Sequence, residues 1–151
     1  MLRLSKKMLF ALEAVVDIAY NAGGEPVQSK EVTRRQGIPQ RYLEQVLQRL
    51  VRAGILKGVR GPRGGYRLAR ARRRITVGEV ARVVYEMNGD GTDFEYPTES
   101  QLGQEVVHPL WRGLQGELLT KLDAISVEDL CRQAIERGVE SEARDRLNYV
   151  I

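Results

Sequence analysis

Apolar residues at Met8, Leu12, Val15, Val16 and Ala19 recur at i, i+4, i+7, i+8 and i+11, the spacing that lines one face of an α-helix. Ser5 stands where a hydroxyl can accept from an unpaired first-turn N–H, and Asn21 to Gly24 ends the run. A second, shorter helix is expected to open near Gln28 or Ser29 and to pass through Val32 to Arg35. Gly37 stops it, because a residue without a Cβ takes the left-handed closing turn without steric cost. Pro39 suits the first turn of a third helix, where the N–H it lacks would have had no partner. In that helix Leu43, Val46, Leu47 and Leu50 form the apolar stripe, while Arg41, Gln45, Gln48 and Arg52 occupy the opposite face.

Ala53-Gly54 ends the third helix, and Ile55 to Arg60 then alternates in the manner of a strand. Gly61-Pro62-Arg63-Gly64-Gly65 makes a turn and Tyr66-Arg67-Leu68 returns, so Ile55 to Leu68 is predicted to be a β-hairpin. A helix, a short helix, a glycine turn and a helix with a polar outer face form the pattern of a helix-turn-helix, and a hairpin directly after it holds the position of a wing. Arg60, Arg63 and Arg67 project from that hairpin, where guanidinium groups suit phosphates or a narrow minor groove.

Thr76-Val77-Gly78-Glu79 fits a capping box that opens a helix through Val80, Val83, Val84 and Met87. Asn88 to Glu105 is polar, acidic and punctuated by Gly89, Gly91, Pro97 and Gly103, the composition of an irregular hinge or sensing segment. From about Val106, the residues Val107, Trp111, Leu114, Leu118 and Ile125 step by 4, 3, 4 and 7, with Leu110 and Leu122 alongside, as in a long pairing helix. Ser126-Val127-Glu128-Asp129 begins a last short helix containing Leu130, Ala134 and Ile135. The expected fold is mainly α with a small β-hairpin wing: a winged helix-turn-helix plus a long C-terminal dimerisation helix. Its divisions are a DNA-binding domain at 1–87, an irregular segment at 88–105, the dimerisation helix and a short closing helix at 106–137, and a tail at 138–151.

Charge changes the picture. The net charge of +4 over 151 residues divides into 18 basic against 7 acidic residues in 1–87, a net of +11, and 6 against 13 in 88–151, a net of −7. A polyanion is the natural partner of the first part, although two solvated faces of opposite sign would give the same totals. A single cysteine excludes a disulfide scaffold, a four-thiolate zinc site and a cluster held by cysteines alone within one subunit. No apolar run approaches the roughly 18 to 20 residues of a membrane span, and Met1 to Ile18 lacks the features of a signal peptide, so a cytoplasmic protein is expected.

Other chemistry finds less support. The glycines of residues 61–65 are not followed by Gly-Lys-Ser/Thr or a helix start, which excludes a phosphate-binding loop. Asn88, Asp90, Thr92 and Glu99 approach calcium-loop spacing, but Asp93 stands where glycine is needed. His108 with Glu105 and Glu99 could hold a metal, though a helix-entry histidine is the simpler reading. Trp111, Leu114 and Leu118 could line a small-molecule pocket, with a dimer core as the stronger reading. Arg72-Arg73-Arg74 is either a phosphate contact or solvated surface. One histidine, one cysteine and no nucleophile motif argue against an enzyme.

Several pieces together resemble the IscR, NsrR and CymR family of bacterial winged-helix transcription regulators. They are Leu4-Ser5-Lys6-Lys7 with Ala11-Leu12, Gln36-Gly37-Ile38-Pro39-Gln40-Arg41-Tyr42-Leu43-Glu44-Gln45, and Val59-Arg60-Gly61-Pro62-Arg63-Gly64-Gly65-Tyr66-Arg67-Leu68. Ile75 to Val80, His108-Pro109-Leu110-Trp111 and Ile125 to Leu130 agree as well, so the likeness extends in order to about residue 135. The resemblance implies a homodimer that binds an operator, with repression as the expected sense, in answer to a signal. It places the helix with Tyr-Leu-Glu-Gln in the major groove and the wing arginine in the minor groove, roles that fall here on Gln40, Arg41, Tyr42, Glu44, Gln45 and Arg60. Gln48 and Arg63 join them from the residue pattern, and Val107, Trp111, Leu114 and Leu118 are the expected dimer contacts.

Cluster-binding members place three cysteines before the long helix, the last of them three positions ahead of the histidine. Here that position is Glu105, Asn88 to Val107 contains no cysteine, and His108 stands without thiolate partners. No cofactor is therefore expected. Cys131 is expected to be core packing, with an intersubunit disulfide or oxidation as the other reading. The signal is expected to be a small-molecule or protein effector acting on Asn88 to Glu105; in a second reading DNA binding is constitutive. A different alternative is an interaction dimer whose basic face meets a protein partner rather than an operator.

Overall fold

A computed structural model describes residues 5–87 and 100–143. α1 (Lys6–Asn21) starts at the expected cap, with the Ser5 hydroxyl accepting from the Met8 amide at 3.2 Å. Its buried face is rotated from the expected stripe: Met8, Ala11, Ala14, Val15 and Ile18 leave solvent, whereas Leu12, Val16 and Ala19 are only half-buried. The cause is that α1 packs against α2, α3, α4, α6 and the hairpin at once, and the small side chains of Ala11 and Ala14 are what close approach from several sides requires.

α2 (Ser29–Gln36) is followed by Gly37 at φ +68°, whose amide donates to the Thr33 carbonyl at 2.9 Å. Pro39 then caps α3 (Gln40–Arg52) one position ahead of its first turn, and Leu43, Val46, Leu47 and Leu50 are fully buried. β1 (Leu56–Val59) and β2 (Gly65–Leu68) pair antiparallel, with Leu56 opposite Leu68 and Val59 opposite Gly65. Val27 extends the hairpin by exchanging two 2.8 Å backbone bonds with Tyr66, which fastens the wing to the segment before α2.

After a 3-10 turn at Arg72–Arg74, α4 (Val77–Met87) opens on the expected capping box. The Glu79 amide donates to the Thr76 hydroxyl at 3.1 Å, and the Thr76 amide to the Glu79 carboxylate at 3.0 Å. The boundary expected at 105/106 is corrected: the chain is already helical at Gln101, where the Ser100 hydroxyl accepts from the Gly103 amide at 3.0 Å. Polar Gln101, Gln104 and Glu105 belong to an exposed helix surface rather than a loop. Gly103–Val107 forms a π-helical turn, closed by the His108 amide on the Gly103 carbonyl, and continues into α5 (His108–Asp123). The rest of the expected hinge, with Asn88, Asp90, Thr92 and Glu99 of the calcium-loop pattern, lies outside the described residues.

α6 (Val127–Glu136) has a reciprocal cap, Ser126 hydroxyl from Asp129 amide at 3.0 Å and Ser126 amide to Asp129 carboxylate at 2.9 Å. Hydrogen bonds from Ser126, its backbone amide first and then its side chain, hold the Asp129 carboxyl below its ordinary value. The α5–α6 corner is stitched to the start of α4 by the Val77 amide on the Ile125 carbonyl and the Val127 amide on the Ile75 carbonyl, both at 2.8 Å. Cys131 is buried in the core, where desolvation pushes its thiol pKa up, with Arg72 pulling weakly the other way.

The expected tail is corrected over its first part. Val139–Ala143 is clasped to the end of α1, where helix carbonyls lack intrahelical partners. The Tyr20 hydroxyl donates to the Val139 carbonyl at 2.5 Å, the Ser141 hydroxyl to the Tyr20 carbonyl at 2.7 Å, and the Glu142 amide to the Asn21 side chain at 3.0 Å. Beneath this clasp the Asp17 carboxylate, with no solvent exposure, accepts two bonds from Arg35 at 2.7 and 2.8 Å and one from Gln36 at 2.8 Å. Arg35 also reaches Glu142 at 2.6 Å, so one guanidinium joins α1, α2 and the C-terminal segment. The pairing, Asp17 foremost, raises the Arg35 pKa further.

Gly78 permits the closest of these contacts. A Cβ there would run into the Asp123 carboxylate and lie 3.0 Å from the Asp123 backbone nitrogen, and that carboxylate is already held by both Arg82 nitrogens. Gly78→Ala is expected to lower stability by about 1–3 kcal/mol through overpacking, read as a lower midpoint in urea with an unchanged slope.

Candidate nucleic-acid interface

α3 presents Gln40, Arg41, Glu44, Gln45 and Gln48 to solvent, as expected of a helix whose other face is fully buried. They divide into two kinds. The side chains of Arg41, Gln45 and Gln48 form no hydrogen bond or ion pair among the described residues, which leaves donors and amides free for base edges or phosphates. Gln40 is instead committed within the fold: its side chain accepts from Thr33 at 2.7 Å and donates to Ser29 at 3.3 Å and to Glu44 at 3.0 Å. It braces α3 against α2 and orients Glu44, so the partner of Glu44 is Gln40 rather than Arg41 or Gln48.

Tyr42 faces the other way. Half-buried, its hydroxyl donates to the Lys7 carbonyl at 2.8 Å, its ring lies 6.1 Å from that of Phe10, and the Lys7 ammonium sits 6.0 Å above it. Burial pushes its phenol up to about 12. Its proton is thus spent on α1, and the side chain sets the angle of the helix.

The wing holds Arg60 and Arg63 exposed on either side of the Gly61-Pro62 corner, neither with a partner among the described residues. Other basic residues of the same half are neutralised internally: Arg34 by Glu142, Arg35 by Asp17, Arg70 by Glu79, Arg82 by Asp123. The free positive charge is therefore more concentrated on α3 and the wing than the count of +11 conveys. Arg49 and Arg52 were not among the expected contacts, yet they share a groove of about 230 Å³ with Gln45 and Gln48. The signal existed in the spacing, since Arg41, Gln45 and Arg49 are successive i+4 steps and Gln48 and Arg52 another.

The long helix carries the expected contact residues exposed: Val107 51%, Trp111 43%, Leu114 47% and Leu118 38%. Leu102, Val106 and Leu110 of the same helical stretch are exposed as well. No group of three His, Cys, Asp or Glu side chains able to hold a metal occurs among the described residues. With one cysteine in the whole chain, and that one buried, the donors present do not fit a thiolate-held iron cluster.

A helix-turn-helix with a free polar face, followed at once by an arginine-bearing hairpin, defines a winged helix-turn-helix DNA-binding transcription regulator. The family model for Rrf2, described as an iron-dependent transcriptional regulator, matches residues 4–133, and the chain belongs to that family. The regulator IscR of Xenorhabdus nematophila is 38% identical over 132 residues, which is 87% of this chain and 80% of the relative. IscR of Escherichia coli O1:K1 / APEC is 38% identical over 130 residues, 85% and 80% of the two chains. Among solved structures, T. potens IscR superposes with a TM-score of 0.73 at 31% identity, covering 92% of this chain and 93% of that one. CymR, the global cysteine regulator of B. subtilis, does so at 0.70 and 28%, covering 88% and 98%. These relatives are regulators rather than enzymes, and no helix among the described residues is long and apolar enough to cross a membrane.

The raised Tyr42 pKa has a sign that can be read. The unfolded phenol ionises near its ordinary 10.0 and the folded one near 12, so the contribution is complete below pH 10 and is lost as pH rises through 12. Tyr42→Phe is expected to lose about 1 kcal/mol at neutral pH with the hydroxyl bond and to flatten that alkaline limb, measured as urea midpoints from pH 8 to 12.

Proposed function

We propose that this protein is a homodimeric repressor that binds a palindromic operator in the cytoplasm and takes its signal from something other than an iron–sulfur cluster. The observation that carries the DNA-binding part is the set of free side chains on α3 and the wing: Arg41, Gln45, Gln48, Arg60 and Arg63 are exposed and unspent. Base choice falls to the α3 residues, with Glu44 accepting from a cytosine amino group, while the basic surface neutralises phosphates. Arg60 enters the minor groove beside the wing. Membership of a DNA-binding regulator family favours this reading over a basic face that meets a protein.

The exposed apolar stripe of the long helix supports the dimer reading, and its self-association would place two α3 helices about a two-fold axis and require a matching symmetry in the DNA. The absence of cysteine from the residues ahead of α5 supports a signal carried by a small molecule or a protein partner.

Selection of bound fragments from random DNA by the purified full-length protein tests the reading; a returned palindrome with a steep fall of affinity with salt supports it, and unselected binding overturns it. Arg60→Ala is expected to weaken the selected site by at least about fivefold, a loss of about 1 kcal/mol, in an anisotropy titration. Leu114→Glu is expected to convert the dimer to a folded monomer, seen as a halved mass in sedimentation with an unchanged helical circular dichroism signal.

A further inference from the structure

Between α1, the end of α2 and α6 lies a cavity of about 730 Å³, within the size range of small-molecule sites. Its walls are Leu12 and Val16, which the rotation of α1 leaves half-buried, with Tyr20, Leu130, Ala134 and Val139. None of the α3 or wing side chains enters it. It has the form of a ligand site: a mainly apolar body with a few converging polar groups.

The polar groups are unbalanced. The lining holds three carboxylates, Glu13, Asp17 and Glu140, against a single guanidinium, that of Arg35. Arg35 is spent on Asp17 and on Glu142, and Asp17 has both oxygens occupied by Arg35 and Gln36. Glu13 and Glu140 are different: both are exposed at the cavity and have no ion pair or hydrogen bond among the described residues. An anionic occupant would be repelled by the two carboxylates and a neutral one would gain no charge attraction from them, whereas a cation would be attracted by both.

We propose that this cavity is a binding site for a small amphipathic cation: an apolar body seated against Leu12, Val16, Leu130 and Ala134, with an ammonium group held by Glu13 and Glu140. The site stands beside the Asp17–Arg35 pair and under the Val139–Ala143 clasp, so an occupant touches the scaffold helix, the first helix of the helix-turn-helix and the C-terminal segment together.

Three probes of nearly one shape separate the causes: phenethylamine, 2-phenylethanol and phenylacetate, each titrated calorimetrically into the full-length protein without DNA. Phenethylamine is expected to bind at least about tenfold more tightly than phenylacetate, with 2-phenylethanol between them. The double substitution Glu13→Gln with Glu140→Gln, at two exposed positions, is expected to erase that order while the neutral probe still binds. Ala134→Phe fills the apolar wall and is expected to weaken all three. Equal or tighter binding of phenylacetate, an order that survives the glutamines, or no binding of any probe at millimolar concentration would overturn the proposal. Because no DNA is present, such a failure leaves the operator reading untouched.

Discussion

The Asp17 carboxylate has lost all its contact with water, and an ion in that position costs several kcal/mol unless charge and hydrogen bonds replace its hydration. Arg35 supplies both, two parallel N–H bonds and a positive charge, and Gln36 supplies a third donor. A pair of this kind adds little to stability relative to apolar packing, but breaking it strands a buried charge, so the geometry has one low-energy solution. Because Asp17 is one turn from the end of the core helix and Arg35 is in the last turn of α2, that solution fixes the first helix of the DNA-binding motif against its scaffold. Glu142 then joins the same guanidinium, and the position of α2 and that of the C-terminal segment become one question.

What surrounds this knot is arranged to pass rigidity toward α3. Gln40 ties the first turn of α3 to Ser29 and Thr33 of α2, and Tyr42 ties it to the start of α1. Val27, just before α2, pairs with Tyr66 of the wing. α3 and the hairpin are thus both referenced to the same short stretch of chain, from Val27 to Thr33. Two of the residues that the family resemblance places at the DNA, Gln40 and Tyr42, also have hydrogen-bond partners within the fold.

The local grammar of the sequence was sufficient for α2, α3, the wing and three of the caps. Leu43 to Leu50 has a clean 3.6 period, Gly37 and Pro39 punctuate it, and Thr76 to Glu79 and Ser126 to Asp129 are capping boxes whose bonds form as the spacing requires. What escaped depends on distance along the chain or on small residues. Asp17 and Arg35 are 18 positions apart and leave no periodic trace, and the clasp of Ser141 onto Tyr20 spans 121. The buried face of α1 was misplaced because Ala11 and Ala14 carry little hydrophobic weight yet sit where neighbours come closest. The start of the long helix was missed because a π turn inserts a residue that no regular period can express.

That inserted residue has a geometric consequence. An α-helix rotates by about 100° per residue, so one extra position turns everything before Gly103 by about that angle relative to the surface bearing Trp111, Leu114 and Leu118. A second helix lying along this one can keep its register only from His108 to Asp123, 16 residues or about 24 Å, before the phase breaks. The π turn therefore sets exposed Leu102 and Val106 at a different angle about the helix axis from Trp111, Leu114 and Leu118.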